Sequence, residues 1–273
     1  IRQRVLKARE IQAIRFENNK NILITFDDGL SEHHEVAKIL HEYDIRATFF
    51  IPTCILEERL PANPMIIHYC IAEFGIERFL NTYQNILEEL RLAPHHTDYY
   101  INYNRNVDNV WEKINQIKNL FKYRIEHHLS RKILIEIFQC LFLSKFPNGL
   151  DIIHLNENQI RDMIKMGHTI GTHSHTHVSI GGIRLSSDDF EKEMVHPKIF
   201  LDRKFGIDVF SFSFPFGEER DYKFSNDLLK YTKDYKIAFT LDEKINDRNT
   251  DPLLLGRYMP RSTDNAEKIS LVI

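Results

Sequence analysis

Short continuous apolar runs, each closed by Gly, Pro or Asp, alternate along this chain with stretches in which apolar residues recur every three or four positions. Residues 21–26 (NILITF) form the first such run, and Gly29 breaks it. A run of that length reads as a buried strand. Ser31 is placed to cap a helix carrying Val36, Ile39 and Leu40 on one face. Residues 46–51 (RATFFI) form a second strand, stopped by Pro52. Strand, helix and strand within about thirty residues make a βαβ unit, and therefore a parallel sheet.

After Pro52 the pattern changes. From about residue 55 to about residue 150 there is almost no strand signal. Val107, Val110, Trp111, Ile114, Ile117 and Phe121 follow helical spacing, as do Ile133, Leu134, Ile137, Phe138, Leu141 and Phe142. This stretch is expected to be a helical insertion, too regular in pattern for a linker. The βα rhythm then resumes. Asn156 can cap a helix with Ile160, Met163 and Ile164, closed by Gly167. A short strand at 168–171 leads into His173-Ser174-His175-Thr176-His177. Ser186 or Ser187 caps a helix through Phe190 and Met194 that Pro197 should kink or interrupt. Residues 209–214 (VFSFSF) form a strand ended by Pro215-Phe216-Gly217, Ser225 starts a further helix, and residues 236–240 form another strand. Residues 253–258 are the candidate for the last. The repeated order argues an α/β barrel or an open parallel sheet, and in either the chemistry sits on loops at the carboxyl ends of the strands.

Composition narrows this only a little. With 273 residues, 42% hydrophobic and 27% charged, one domain spanning 1–273 is expected. The 36 basic and 39 acidic residues leave no cationic excess for a phosphate backbone, so nucleic acid is not an expected partner. No run reaches the roughly 18 apolar residues of a membrane span. Cys54, Cys70 and Cys140 are widely spaced and odd in number, which argues for isolated thiols and a reducing compartment. Residues 1–10 carry no signal-peptide pattern. A cytoplasmic location is therefore expected, with a periplasmic or extracellular one open if a signal has been removed.

The chemistry lies after the strands. Asp27 and Asp28 end the first one, and adjacent residues there point in different directions, so one carboxylate can bind an ion while the other faces water. The pair would equally suit a tight turn. His173 and His177, past another strand, would complete a catalytic site of two imidazoles and one carboxylate. Such a site takes zinc and also other first-row ions. Pro215-Phe216-Gly217 is a place to present a backbone N–H to an oxyanion, since glycine lets backbone approach a ligand.

These motifs together resemble the NodB-homology polysaccharide deacetylases, carbohydrate esterase family 4. Residues 25–29 (TFDDG) resemble the family's first motif, which implies Asp27 as general base and Asp28 as metal ligand. Residues 173–177 (HSHTH) resemble the second, implying His173 and His177 as ligands, and residues 167–171 resemble the approach to it. Residues 212–217 are similar to the third, implying the Phe216 backbone N–H as an oxyanion donor, with Pro215 and Gly217 beside the substrate. Ala47-Thr48-Phe49-Phe50, Ala238-Phe239-Thr240 and Gly256-Arg257 also look like family segments. The resemblance covers 21–258 apart from the insertion. It implies a distorted (β/α)7-type barrel interrupted by the long helical insertion. It also implies one divalent ion, most often Zn2+ with Co2+, Ni2+ or Mn2+ as alternatives, and an N-acetylated amino sugar of a polysaccharide or glycolipid as substrate. Oligomeric state is not implied.

There are departures. The arginine that opens the third motif is missing, and so is the late Leu-x-His motif whose histidine acts as general acid; no histidine follows Arg257. His175 is a candidate acid, Asp27 could return its own proton, and an acid from a partner or a further tail stays open. Arg257 is a candidate to orient a carboxylate. Tyr99, Tyr100, Tyr103 and Trp111 of the insertion are candidates to stack on sugar rings. Two other functions remain open: a deformylase or cyclic-amide hydrolase using the same ion, and a barrel that binds glycan without turnover.

Overall fold

The computed structural model describes residues 4–5, 21–92, 109–223 and 234–260. The first apolar run is divided. Residues Arg4–Val5 (β1) pair in parallel with Asn21–Ile22 (β2), and the chain then moves into the main sheet as Ile24–Phe26 (β3). That sheet holds five parallel strands in sequence order: β3, Ala47–Ile51 (β4), Thr169–Thr172 (β5), Ser211–Ser213 (β6) and Ile237–Phe239 (β7). They curl into a half-barrel with helices around it, consistent with a distorted (β/α) barrel. The expected strand at 253–258 is reduced to one bridge, Phe239 to Leu255. Thr240 N–H and Leu255 N–H still bond across it, to Leu255 and Ala238 carbonyls.

All five residues of β4 are buried, which is what a continuous apolar run with no polar alternation requires of a central parallel strand. Phe49 stacks on Phe26 at 4.9 Å between ring centroids and meets the His168 ring edge-on at 5.4 Å. His168 is satisfied there, donating from Nε2 to the Ala37 carbonyl and accepting the Ala47 N–H at Nδ1. Burying each such side chain contributes roughly 1.5–3 kcal/mol. Because every strand is parallel, β3, β5 and β6 deliver Asp27, His173 and Phe214 to one edge of the sheet.

The helix after β3 is His33–Glu42 (α1), starting later than expected. Ser31 does not cap it; its Oγ donates to the Ile152 carbonyl at 2.7 Å, tying the turn to the end of the insertion. The insertion is helical, as its periodicity indicates. It comprises Cys54–Glu57 (α2), Asn63–Phe74 (α3), Ile76–Glu89 (α4), Val110–Tyr123 (α5), His127–Ile137 (α6) and Gly149–Ile153 (α7). A π-helical turn at Phe138–Leu143 extends α6. Asn156 caps Glu157–Lys165 (α8) in a reciprocal box with Gln159. Ser186 caps Ser187–Phe190 (α9), whose continuation is π-helical over Glu191–Val195. His196–Phe205 (α10) follows with Pro197 in its first turn, where the missing N–H costs nothing. Glu219–Tyr222 (α11) ends the helices described. The helix expected from Ser225 lies outside the described residues, as do Tyr99, Tyr100, Tyr103 and Val107. Cys54 and Cys70 are buried free thiols, both pushed up to about 12 by burial.

Candidate metal centre

At the carboxyl edge of the sheet, one carboxylate oxygen and two imidazole nitrogens, from Asp28, His173 and His177, lie within 4.8 Å of one another. Asp28 Oδ1 is 3.5 Å from His173 Nε2 and 3.1 Å from His177 Nε2. His173 donates its Nδ1–H to the Ser213 carbonyl at 2.7 Å, which leaves the Nε2 lone pair facing Asp28. Asp28 Oδ1 is buried and accepts no hydrogen bond. His177 Nδ1 is likewise buried without a partner, and an acceptor buried opposite the His173 lone pair is costly unless a cation sits between them. Two imidazoles and a carboxylate are also the donor set of a three-ligand catalytic zinc site, so these residues fit such an ion. Burial disfavours charge on Asp28, yet the two imidazoles hold its carboxyl well below the usual range. In return, Asp27 and Asp28 outweigh burial and push His173 up.

The backbone is bent to make this convergence. Asp28 (φ 74°), Ser174 (φ 59°), His177 (φ 64°) and Phe216 (φ 65°) all occupy the left-handed region. That region costs a side-chain-bearing residue on the order of 1–3 kcal/mol, and it persists only where the surroundings enforce it. The enforcement is visible around residues 174–176. Their carbonyls accept N–H groups from Thr53, Cys54 and Asn63 at 3.0–3.2 Å. The amides of His175 and Thr176 donate to one oxygen of Glu193 at 3.0 and 2.9 Å, and Thr176 Oγ donates to the other at 2.7 Å. Glu193 is fully buried, and although burial opposes charge, these donors and His127 hold it down to about 2. On the other side, His154 donates from Nδ1 to the carbonyls of Asp28 and Gly29 and accepts the Ala62 N–H at Nε2. Burial pushes it to about 4, so it remains neutral.

Asp27 stands apart from the three ligand candidates. Arg257 grips it with two bonds, Nη1 to Oδ1 at 2.9 Å and Nη2 to Oδ2 at 2.8 Å. Ser213 Oγ donates to Oδ2 at 3.0 Å and takes an Arg257 N–H at 2.9 Å. Burial would raise the Asp27 carboxyl, but Arg257 and His173 keep it below the usual range. Arg257 itself is fixed by the Thr240 carbonyl at 3.0 Å. Phe216 lies with its ring edge-on to His177 at 4.6 Å and under Lys122 Nζ at 3.9 Å. Its backbone N–H bonds to no described residue. Pro215 and Gly217 frame the turn without lining the cleft.

These groups open onto a cavity of about 310 Å³. Asp27, Asp28, His173, His177 and Phe216 line its floor, and the insertion supplies a wall that includes Asn63, His68, Lys118, Phe121, Lys122 and His127. His175 is not part of it. Its ring is turned the other way, Nδ1 bonded to Thr53 Oγ at 2.8 Å and Nε2 to Glu58 at 2.9 Å, in a separate depression with Glu57 and His196. The expectation that it could serve as acid is corrected by that geometry: the left-handed turn at Ser174 sends neighbouring side chains to opposite sides. Trp111 is exposed and outside the cavity. A second donor group, His127, His128 and Asp189, also converges. There His128 already pairs with Asp189 at 2.8 Å and His127 with Glu193 at 3.3 Å. Sequence reasoning missed Glu193, His154, His68 and His127, none of which belongs to a local motif, and it missed the part played by Ser213, which lies within residues 212–217.

The chain matches the profile of a family described as polysaccharide deacetylase over residues 15–98 and 141–240. No protein of curated function matches it. Among solved structures it is similar to the deacetylase PplD of Streptococcus pyogenes, solved in complex with acetate. The identity is 15%, the TM-score 0.57, and the match covers 98% of this chain and 78% of that one. It is similar to a polysaccharide deacetylase of Bacillus cereus at 14% identity and TM-score 0.54, over 99% of this chain and 56% of the other, so it spans little more than half of that relative. IcaB of Ammonifex degensii matches at 14% identity and TM-score 0.51, over 98% and 81%. At these identities the likeness is one of fold.

Proposed function

The chain belongs to the polysaccharide deacetylase family, and from that premise we propose that it is a metal-dependent hydrolase removing N-acetyl groups from amino sugars of a polysaccharide or glycolipid. The observation that carries the metal dependence is Asp28 Oδ1, buried, unbonded and facing two imidazole nitrogens. A divalent ion held by Asp28, His173 and His177 would polarise the amide carbonyl and make a water molecule acidic near neutral pH.

The rest is the work of the chain's own groups. Asp27 takes a proton from the attacking water. Arg257 and Ser213 hold its carboxylate ionised and fixed in direction, so Asp27 is ready to accept. The Phe216 N–H, free of other described partners, donates to the oxygen that becomes negative. Lys122, 3.9 Å above the Phe216 ring and paired with Asp221 at 3.0 Å, holds that turn against the insertion. In this reading the arginine that orients the base is Arg257, beyond β7, and not a residue of the segment after β6.

The test is product analysis with zinc-loaded protein on a panel of N-acetylated and N-formylated amino sugars. Acetate release is expected, and it is abolished by Asp27→Asn with zinc still bound. Formate as the preferred product would make the enzyme a deformylase, and binding of glycan without any release would make it a non-catalytic barrel.

A further inference from the structure

Four titratable groups line the cavity besides Asp27 and the three ligand candidates: His68, Lys118, Lys122 and His127, all from the insertion. They are not equivalent. Lys122 is committed to Asp221 and the Phe216 ring. Lys118 is an ammonium with no carboxylate to orient it among the described residues, and burial alone lowers it. His68 is desolvated and lies near Lys118, which together depress it to about 4. At neutral pH it is an uncharged imidazole, a far weaker acid than an imidazolium.

His127 differs in geometry. It is 8% exposed and lines the cavity, and its Nε2 is 3.3 Å from Glu193 Oε1. Glu193 cannot swing away, because His175 N–H, Thr176 N–H and Thr176 Oγ hold both its oxygens. The result is a histidine oriented by a fixed buried carboxylate and facing the cleft, the arrangement that general acid–base chemistry uses. We propose that His127, held by Glu193, is the acid that protonates the departing amine, so that the insertion supplies the proton donor of the site. The proposal rests on the deacetylase reading above.

The charged groups around His127 agree. Burial lowers it, but Glu193 and Asp189 from the opposing helical segments, with Glu126 at the start of its own helix, outweigh burial and raise it. Its neighbour His128 is paired with Asp189. In the step itself the C–N bond breaks and its electron pair goes to nitrogen. Nitrogen takes the imidazolium proton, the carbonyl re-forms, and acetic acid and free amine leave. Neutral His127 recovers, through solvent, the proton that Asp27 removed from water.

The test compares two substrates on the zinc-loaded full chain: an N-acetylated amino-sugar oligomer, whose amine must be protonated to leave, and 4-nitrophenyl acetate, whose phenolate leaves unprotonated. For His127→Gln the amide kcat/KM is expected to fall at least roughly 100-fold further than the ester kcat/KM. In the wild type, which needs no variant to fold, the amide profile should lose activity with rising pH as His127 deprotonates, and the ester profile should lack that limb. Equal loss on both substrates, an ester profile with the same basic limb, or a selective amide loss in His68→Gln instead would overturn the assignment. Wild-type protein that cleaves the ester but no acetylated sugar would refute the deacetylase reading, and the assignment with it.

Discussion

Arg257→Met removes a guanidinium while keeping most of the side chain's length, and it isolates what orients the base. Arg257 is 12% exposed and Asp27 24%, so the pair is screened less than a surface ion pair. The substitution deletes the bonds at 2.9 and 2.8 Å and leaves Asp27 with Ser213 Oγ at 3.0 Å and the nearby His173. Burial, already the largest influence on this carboxyl and directed upward, is then opposed mainly by His173. Losing an adjacent guanidinium raises a carboxylate by about 1–3 pH units, equivalent to roughly 1.4–4 kcal/mol. The sign follows from the direction. A base held low is ionised and competent above its folded pKa, so activity is lost as pH falls through that value. In Arg257→Met the acidic limb of kcat/KM should therefore move upward by about 1–3 units, while activity well above it survives in part. Asp27→Asn should instead be inactive at every pH. The assay is a pH–rate profile of acetate release, with melting temperature and zinc stoichiometry as controls. An acidic limb that stays in place, or inactivity across the whole range in folded, zinc-bound protein, would show that Arg257 does something other than tune and aim Asp27.

Three further outcomes are expected. Zinc at 100 times its Kd should stabilise the wild type by about 2.7 kcal/mol in denaturant unfolding, and Asp28→Ala should show no such gain; equal stabilisation of both would place the ion elsewhere. Gly217→Ala should cost about 2–4 kcal/mol in urea, because Gly217 sits at φ 65° and an added Cβ would lie 2.8 Å from Leu241 Cγ and 2.9 Å from Leu241 N. Glu193 is depressed to about 2 from an ordinary 4.5, so its contribution is present above pH 4.5 and lost as pH falls toward 2. That loss is on the order of 3 kcal/mol, and the stability curve of Glu193→Gln should be flatter over that interval.

The strands and their terminal residues were legible in the sequence because each is a local signal: an apolar run, then Asp-Asp-Gly, a histidine cluster or Pro-Phe-Gly. Parallel pairing then forces their ends to one edge, whatever their separation along the chain. Side-chain direction at 174–177 was not legible. It depends on left-handed φ at Ser174 and His177, imposed by Glu193 and by amides of Thr53, Cys54 and Asn63, all remote in sequence. That is why His175 could be taken for a cleft residue. The failed cap at Ser31 has the same origin, since a tertiary partner, the Ile152 carbonyl, took the hydroxyl. Helical periodicity found the insertion but could not say which of its faces would meet the ligands; that was fixed by Arg131, which bonds the Pro61 carbonyl, Asn63 and Glu58 and so locks α6 to the start of α3.

The boundary of the family match carries one more consequence. It breaks off at residue 98 and resumes at 141, yet Lys118, Phe121, Lys122, His127 and Ser130 from the gap all line the cavity. The floor, with its carboxylates and imidazoles, comes from strand ends inside the matched segments. The floor is what water activation needs, and it tolerates little change because three of its residues, Asp28, His177 and Phe216, are held in the left-handed region. The wall touches whatever lies above the reacting amide, and it rests on helices joined to the floor through a few fixed points: Asn63 N–H on the Thr176 carbonyl, Lys122 on Asp221, His127 on Glu193. Discrimination between substrates depends on contacts beyond the reacting atoms. Substitutions at Lys118, Phe121 and Ser130 should therefore alter which acetylated sugar is accepted, while those at 27, 28, 173 and 177 should abolish turnover of all of them alike.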